Sequence, residues 1–175
     1  SNKMVWHANV APGDIVVVDR NCHKSNLHAI MMTGAIPVFL MPTRNHFGII
    51  GPIPKSEFEP ETIAKKIADH PFASKAKNKK PRILTITQGT YDGVLYNAEM
   101  IKNMLSTEID TLHFDEAWLP HASFHPFYEN MHAIGHGRPR SKDALVYATQ
   151  STHKLLAGLS QASQILVQDS ETRKL

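Results

Sequence analysis

A lysine set among hydroxyl and imidazole groups, in Ser151-Thr152-His153-Lys154, follows closely on the apolar run Ala144-Leu145-Val146-Tyr147-Ala148. A carboxylate, Asp115, ends a second such run, Thr111-Leu112-His113-Phe114, and an indole, Trp118, comes three residues later. An amine and a carboxylate delivered by the ends of two buried strands suit one cofactor chemistry in particular. Pyridoxal phosphate (PLP) needs a lysine that carries it as a Schiff base and an acid that keeps its ring nitrogen protonated. It also needs a planar group stacked on the ring and donors for its phosphate. A carboxylate at hydrogen-bond distance raises the proton affinity of the ring nitrogen, because it favours the charged form.

Each candidate also has a plainer reading. Lys154 fits the anchoring role; taken alone it is a surface lysine in a loop. Asp115 fits the ring-nitrogen role; alone it is a cap or turn residue after a strand. His23 follows the run Ile15-Val16-Val17-Val18-Asp19 and can stack on the ring, although a lone histidine is ordinarily a core or turn residue. Trp118 can reach the cofactor's phenolic oxygen through its N–H, or it is core. Ser151 and His153 can supply phosphate contacts.

The elements that must position these groups alternate. A helix is expected over the first residues, with Ser1 as its cap, then a turn at Pro12-Gly13-Asp14 and a buried strand over 15–18. A helix with Leu27, Ile30 and Met31 on its apolar face follows and stops at Gly34. Residues 36–41 read as a strand and 42–54 as a Gly- and Pro-rich loop. A helix over 61–68 carries Ile63 and Ile67 on one face. A strand over 82–87, a turn at Tyr91-Asp92-Gly93 and a helix over 98–105 capped by Asn97 precede the two strands already named. Residues 163–167 read as a last strand. The pattern predicts an α/β fold, a mostly parallel sheet with helices on both faces. His23, Asp92, Asp115 and Lys154 then fall outside the carboxyl ends of strands, where such sheets bind ligands.

Composition sets outer bounds. The chain of 175 residues, 42% hydrophobic and 20% charged, fits one ordinary domain. No apolar run reaches the roughly 18 residues of a membrane span. The first residues lack the basic-then-apolar pattern of a signal peptide. The single Cys22 excludes an intramolecular disulfide, and a cytoplasmic location with no membrane partner is expected. The formal charge is +3. Basic residues thicken at 75–82 and 136–140 without interleaved aromatics, so these stretches read as solvated loops and no nucleic-acid partner is expected.

Five stretches together resemble one family. Asp19-Arg20-Asn21-Cys22-His23-Lys24-Ser25, Pro42-Thr43-Arg44-Asn45, Thr90-Tyr91-Asp92-Gly93, His113-Phe114-Asp115-Glu116-Ala117-Trp118 and Gln150-Ser151-Thr152-His153-Lys154-Leu155-Leu156 are similar, in order and spacing, to the bacterial ornithine/lysine/arginine decarboxylases. These are fold-type I PLP enzymes. The resemblance implies part of an aspartate aminotransferase-like large domain, with pyridoxal 5'-phosphate as cofactor. It implies decarboxylation of a basic amino acid to the amine and carbon dioxide, with lysine favoured over ornithine and arginine. A homodimer or higher homo-oligomer is implied for the full-length enzyme.

By motif, Lys154, Asp115 and His23 resemble the catalytic set: the Schiff-base lysine, the ring-nitrogen partner and the stacked histidine. Trp118 matches the tryptophan near the phenolic oxygen, and Ser151 and His153 match phosphate-side residues. The family's main phosphate-binding loop lies just before the Ser1-Asn2-Lys3 stretch, and its wing and C-terminal domains lie further out. Residues 1–175 are therefore expected to be a partial PLP-binding large domain, weak or inactive alone.

Three rivals remain at this level. His121 and His125, with His132 and His136, suggest a zinc site, but Pro120 and Pro126 bracket the pair and no Glu follows His121 to act as base. A different reaction on the same scaffold, such as an aminotransferase, is allowed by fold. A non-catalytic assembly module is the third.

Overall fold

Short β-branched and apolar runs pair into a six-stranded sheet in the computed structural model, which describes residues 1–174. The strands are β1 (Ile15–Asp19), β2 (Ile36–Leu40), β3 (Ile83–Thr87), β4 (Thr111–Asp115), β5 (Leu145–Gln150) and β6 (Gln164–Gln168), in spatial order β2-β1-β3-β4-β5-β6. The first five are mutually parallel, and β6 returns antiparallel to β5. β1 and β4 are buried along their whole length, as expected of strands covered on both faces. Pro37 sits in β2, an edge strand, where a missing N–H is tolerated.

Helices cover both faces. α3 (Pro60–Asp69) and α4 (Ala98–Leu105) pack Ile63, Ile67, Ile101 and Leu105 against Val17, Leu84, Ile86, Leu112, Phe114 and Val146. α1 (Asn2–Asn9) and α2 (Lys24–Thr33) bring Val5, Trp6 and Ala29 to Val16, Val18 and Ile83 on the other face. The expected α/β class is therefore the observed one. Among the described residues, no helix is long and apolar enough to cross a membrane.

Local expectations fared unevenly. Gly34 ends α2 at φ 68°, and the Asn97 side chain accepts from the Met100 N–H at 2.9 Å as a cap. Ser1 precedes α1, but its side chain makes no capping bond; its carbonyl accepts from Met4 and Val5 instead. The buried stripe of α2 is Asn26, Ala29 and Thr33, whereas Leu27 and Met31 are exposed. A polar side chain can occupy the inward face there because Asp115 lies opposite Asn26. The basic 75–82 stretch is not wholly solvated: Lys80 and Arg82 both pair with Asp110, at 2.9 and 3.0 Å.

The register positions the site. Thr87, Asp115 and Thr149 stand in one row across β3, β4 and β5, and Thr85, His113 and Tyr147 stand in another, two residues earlier in each strand. The chain leaves β1 for β2 on one side and places β3 on the other, opening a crevice at the carboxyl ends.

Candidate active site

A cavity of about 600 Å³ occupies that crevice. Its walls come from the loops after β1, β3, β4 and β5 and from the start of α1. His23, Asp115, Trp118, Ser151 and Lys154 all line it, as does Asp92. The volume is within the range of ordinary ligand and cofactor pockets.

Asp115 forms the floor. It is 3% exposed, at the last position of β4. Its Oδ2 accepts from Asn2 Nδ2 at 2.7 Å and, at a long 3.5 Å, from Asn26 Nδ2; its Oδ1 accepts from the Ala117 N–H at 3.3 Å. A carboxylate offers about four acceptor positions, so one remains for a donor in the cavity. Among the described residues, no cation pairs with it.

Lys154 lines the same cavity from the one-turn helix α5 (Thr152–Leu155) after β5. Its ammonium lies 4.7 Å from the centre of the Trp118 ring, a separation at which the ring's negative face attracts a cation. Tyr91 meets the same indole edge-on at 5.1 Å. His23 caps α2: its Nδ1 accepts from the Ser25 N–H at 3.3 Å and lies 2.8 Å from Ser25 Oγ, which fixes the ring at the cavity rim. Ser151 lines the wall without capping α5. His153 is not among the residues that line the cavity; its Nδ1 lies 2.8 Å from the Ala162 carbonyl.

Burial tunes the surrounding groups. His113, two residues before Asp115, is fully enclosed, and the loss of water pushes its pKa down to about 4. Glu116 points to the other face of the sheet; burial pushes its pKa up to about 7 despite hydrogen bonds from the Ala133 N–H and Gln150 Nε2, both at 2.7 Å. Asp19 is also raised, chiefly by burial, while accepting from the Asn21 N–H at 2.7 Å. Burial pushes the Cys22 thiol up to about 12, so it is no nucleophile at neutral pH. His121 and His125 flank a 3-10 turn rather than sharing one face of an α-helix. Among the described residues, no three His, Cys, Asp or Glu side chains are placed to hold a metal ion.

The residues that sequence reasoning missed are Asn2, Ser25, Asn26 and Thr149, which surround Asp115 and His23. One signal was available. Polar residues recur at alternate positions of otherwise apolar strands, at Thr85 and Thr87, at His113 and Asp115, and at Thr149. Buried strands with a polar stripe facing one way mark the wall of a site. Asn2 and Asn26 carry no such mark.

Fold and site together define a class. An alanine aminotransferase from Pyrococcus furiosus, 15% identical, superposes with a TM-score of 0.57 over 95% of this chain and 37% of its own, which shows the aminotransferase-type large-domain fold. The narrower assignment follows from sequence: residues 1–174 match the Orn/Lys/Arg decarboxylase major domain, and the chain belongs to that family. The lysine decarboxylase LdcA of Pseudomonas aeruginosa is 54% identical over 175 residues, which are 100% of this chain and 23% of LdcA. Its solved structure superposes with a TM-score of 0.88 over 99% of this chain and 23% of its own. The biodegradative arginine decarboxylase of Escherichia coli K12 is 47% identical over 97% of this chain and 22% of its own length. The chain thus spans about a quarter of the curated relatives it matches.

Proposed function

We propose that residues 1–175 are the central part of the PLP-binding domain of a longer decarboxylase acting on a basic amino acid. The observation that carries this reading is the convergence of Lys154, Asp115, His23 and Trp118 on one cavity. The donor set suits PLP. There is an amine, a buried carboxylate with an acceptor position left open, an imidazole at the rim and the N-terminal turn of α1 at the wall, where backbone N–H groups favour an anion.

Bound PLP supplies an electron sink for the pair left when the bond from Cα to the carboxylate breaks. The chain's own residues do the rest. Lys154 would hold the cofactor through its amine, at the cavity wall beside Trp118. Asp115 would keep a proton on the ring nitrogen by stabilising the charged form. His23, held at the rim by Ser25, would supply a planar group to stack on the ring and exclude water. Trp118 holds the Lys154 ammonium at its working position.

Lysine is the favoured substrate, on the strength of 54% identity to a lysine decarboxylase, with arginine and ornithine next. The remaining domains complete the site, so residues 1–175 alone are weak or inactive. The exposed Phe47, Phe124 and Phe127 support burial against those domains or against a second copy in a homo-oligomer. Carbon dioxide release from lysine, arginine and ornithine by the full-length protein tests the reaction. Lys154→Ala tests the site: the visible band of bound PLP should disappear, and its survival would exclude Lys154 as the anchor.

A further inference from the structure

Five side chains from four elements form one hydrogen-bonded line that ends on Asp115. Thr85 Oγ1 in β3 lies 3.1 Å from His113 Nδ1 in β4, and His113 Nε2 lies 3.0 Å from Thr149 Oγ1 in β5. Thr149 Oγ1 lies 2.6 Å from Asn2 Oδ1 in α1, and Asn2 Nδ2 lies 2.7 Å from Asp115 Oδ2. Thr85, His113 and Thr149 are each buried to 2% exposure or less.

Donor and acceptor chemistry sets the direction of this line. A carboxylate only accepts, so the Asn2 amide must turn its NH₂ towards Asp115 and its oxygen towards Thr149. The single Thr149 proton then goes to Asn2, and Thr149 must accept from His113. The imidazole therefore carries its proton on Nε2, and its Nδ1 accepts from the Thr85 hydroxyl. Every proton along the line points to Asp115. Burial keeps His113 neutral throughout the neutral range, so this polarity holds there.

We infer that His113, Thr149 and Asn2 are positioning residues that lock the rotamer of the Asp115 carboxylate and leave its open acceptor position facing the cavity. The inference rests on the reading of Asp115 as the partner of the PLP ring nitrogen. Asn2 also donates to Ser25 Oγ at 3.0 Å, and Ser25 in turn holds the His23 ring. One amide thus couples the carboxylate that would partner the ring nitrogen to the imidazole that would stack on the ring. Without Thr149 to hold its oxygen, the Asn2 amide is free to turn, and Asp115 loses its shortest donor.

The test uses the full-length protein with PLP and two readouts besides turnover: PLP affinity by equilibrium dialysis, and the pH midpoint at which the visible band of the bound cofactor changes. Thr149→Val keeps the β-branched shape and removes the hydroxyl. It should weaken PLP binding roughly tenfold and move the midpoint, and Thr149→Ser should restore both. Thr85→Val cuts the far end of the line without touching Asn2, and should move the midpoint in the same direction by less. It also keeps the test alive if Thr149→Val does not fold. A wild-type midpoint and affinity in the valine variants, with Lys154→Ala still abolishing the band, would overturn the relay alone. Wild-type protein that takes up no PLP would overturn the reading beneath it, and the relay with it.

Discussion

The Lys154 ammonium sits 4.7 Å from the centre of the Trp118 ring, and Tyr91 meets that ring edge-on at 5.1 Å. Among the described residues, no carboxylate pairs with the amine. A cation held by a ring face keeps its direction without being neutralised by an ion pair, which suits the anchoring role proposed for Lys154. At a site open to a cavity such a contact is worth about 0.5–1 kcal/mol.

Trp118→Leu should therefore weaken PLP retention about two- to fivefold, whereas Trp118→Phe keeps a ring face and most of the affinity. Equilibrium dialysis of the full-length variants reads both. Equal losses in Leu and Phe would mean that the indole N–H, rather than the ring face, is what matters.

A second structural dependence lies under the opposite face of the sheet. Lys102 in α4 is 1% exposed, and its ammonium reaches Glu99 at 3.0 Å, the Ala133 carbonyl at 3.3 Å and the Pro139 carbonyl at 2.6 Å. It ties the long β4–β5 connection to the helix. Lys102→Met leaves Glu99 without its cation and two carbonyls without a donor, and should destabilise the protein by about 3 kcal/mol. Limited proteolysis should cut residues 130–140 earlier in the variant. An unchanged urea midpoint with unchanged cleavage would show that the loop is held by its other contacts.

How much of this was legible beforehand depended on the range of the forces involved. The strands could be read because runs such as Ile15-Val16-Val17-Val18 are explained by local pattern alone, and Gly34 and Asn97 mark helix ends through backbone chemistry within a few residues. Asp115 and Lys154 could be placed on one rim because parallel strands end on the same side. The inward face of α2 could not be read. Its apolar Leu27 and Met31 suggested one stripe, but Asn26 is buried instead because a carboxylate 89 positions away stands opposite it. The Thr85–His113–Thr149–Asn2 line depends on strand order and register, which no local pattern contains. His153 follows the same rule: it sits one residue before Lys154, yet the turn of α5 directs it to Ala162.

Glu116 and His113 give the protein two opposed pH terms. Burial raises Glu116 from its ordinary 4.5 to about 7, so between those values the folded state holds a proton that the unfolded state has lost. Stability from this group is full below pH 4.5 and declines as pH rises to 7, by about 3 kcal/mol in all. His113 works the other way. Its pKa falls from 6.5 to about 4, so the unfolded state binds the extra proton in that window and stability rises with pH across it. The two slopes nearly cancel between pH 4.5 and 6.5. Glu116→Gln removes one of them. Glutamine keeps an acceptor for the Ala133 N–H, and the turn it forces on the Gln150 amide adds an offset that does not depend on pH. The stability of Glu116→Gln relative to wild type should therefore rise by about 3 kcal/mol from pH 4.5 to 7 and stay level above that. Urea denaturation at pH 5, 6, 7 and 8 reads this directly. A difference between the two proteins that stays constant across the series would show that Glu116 is already ionised in the fold at acid pH, and that Ala133 and Gln150 outweigh its burial.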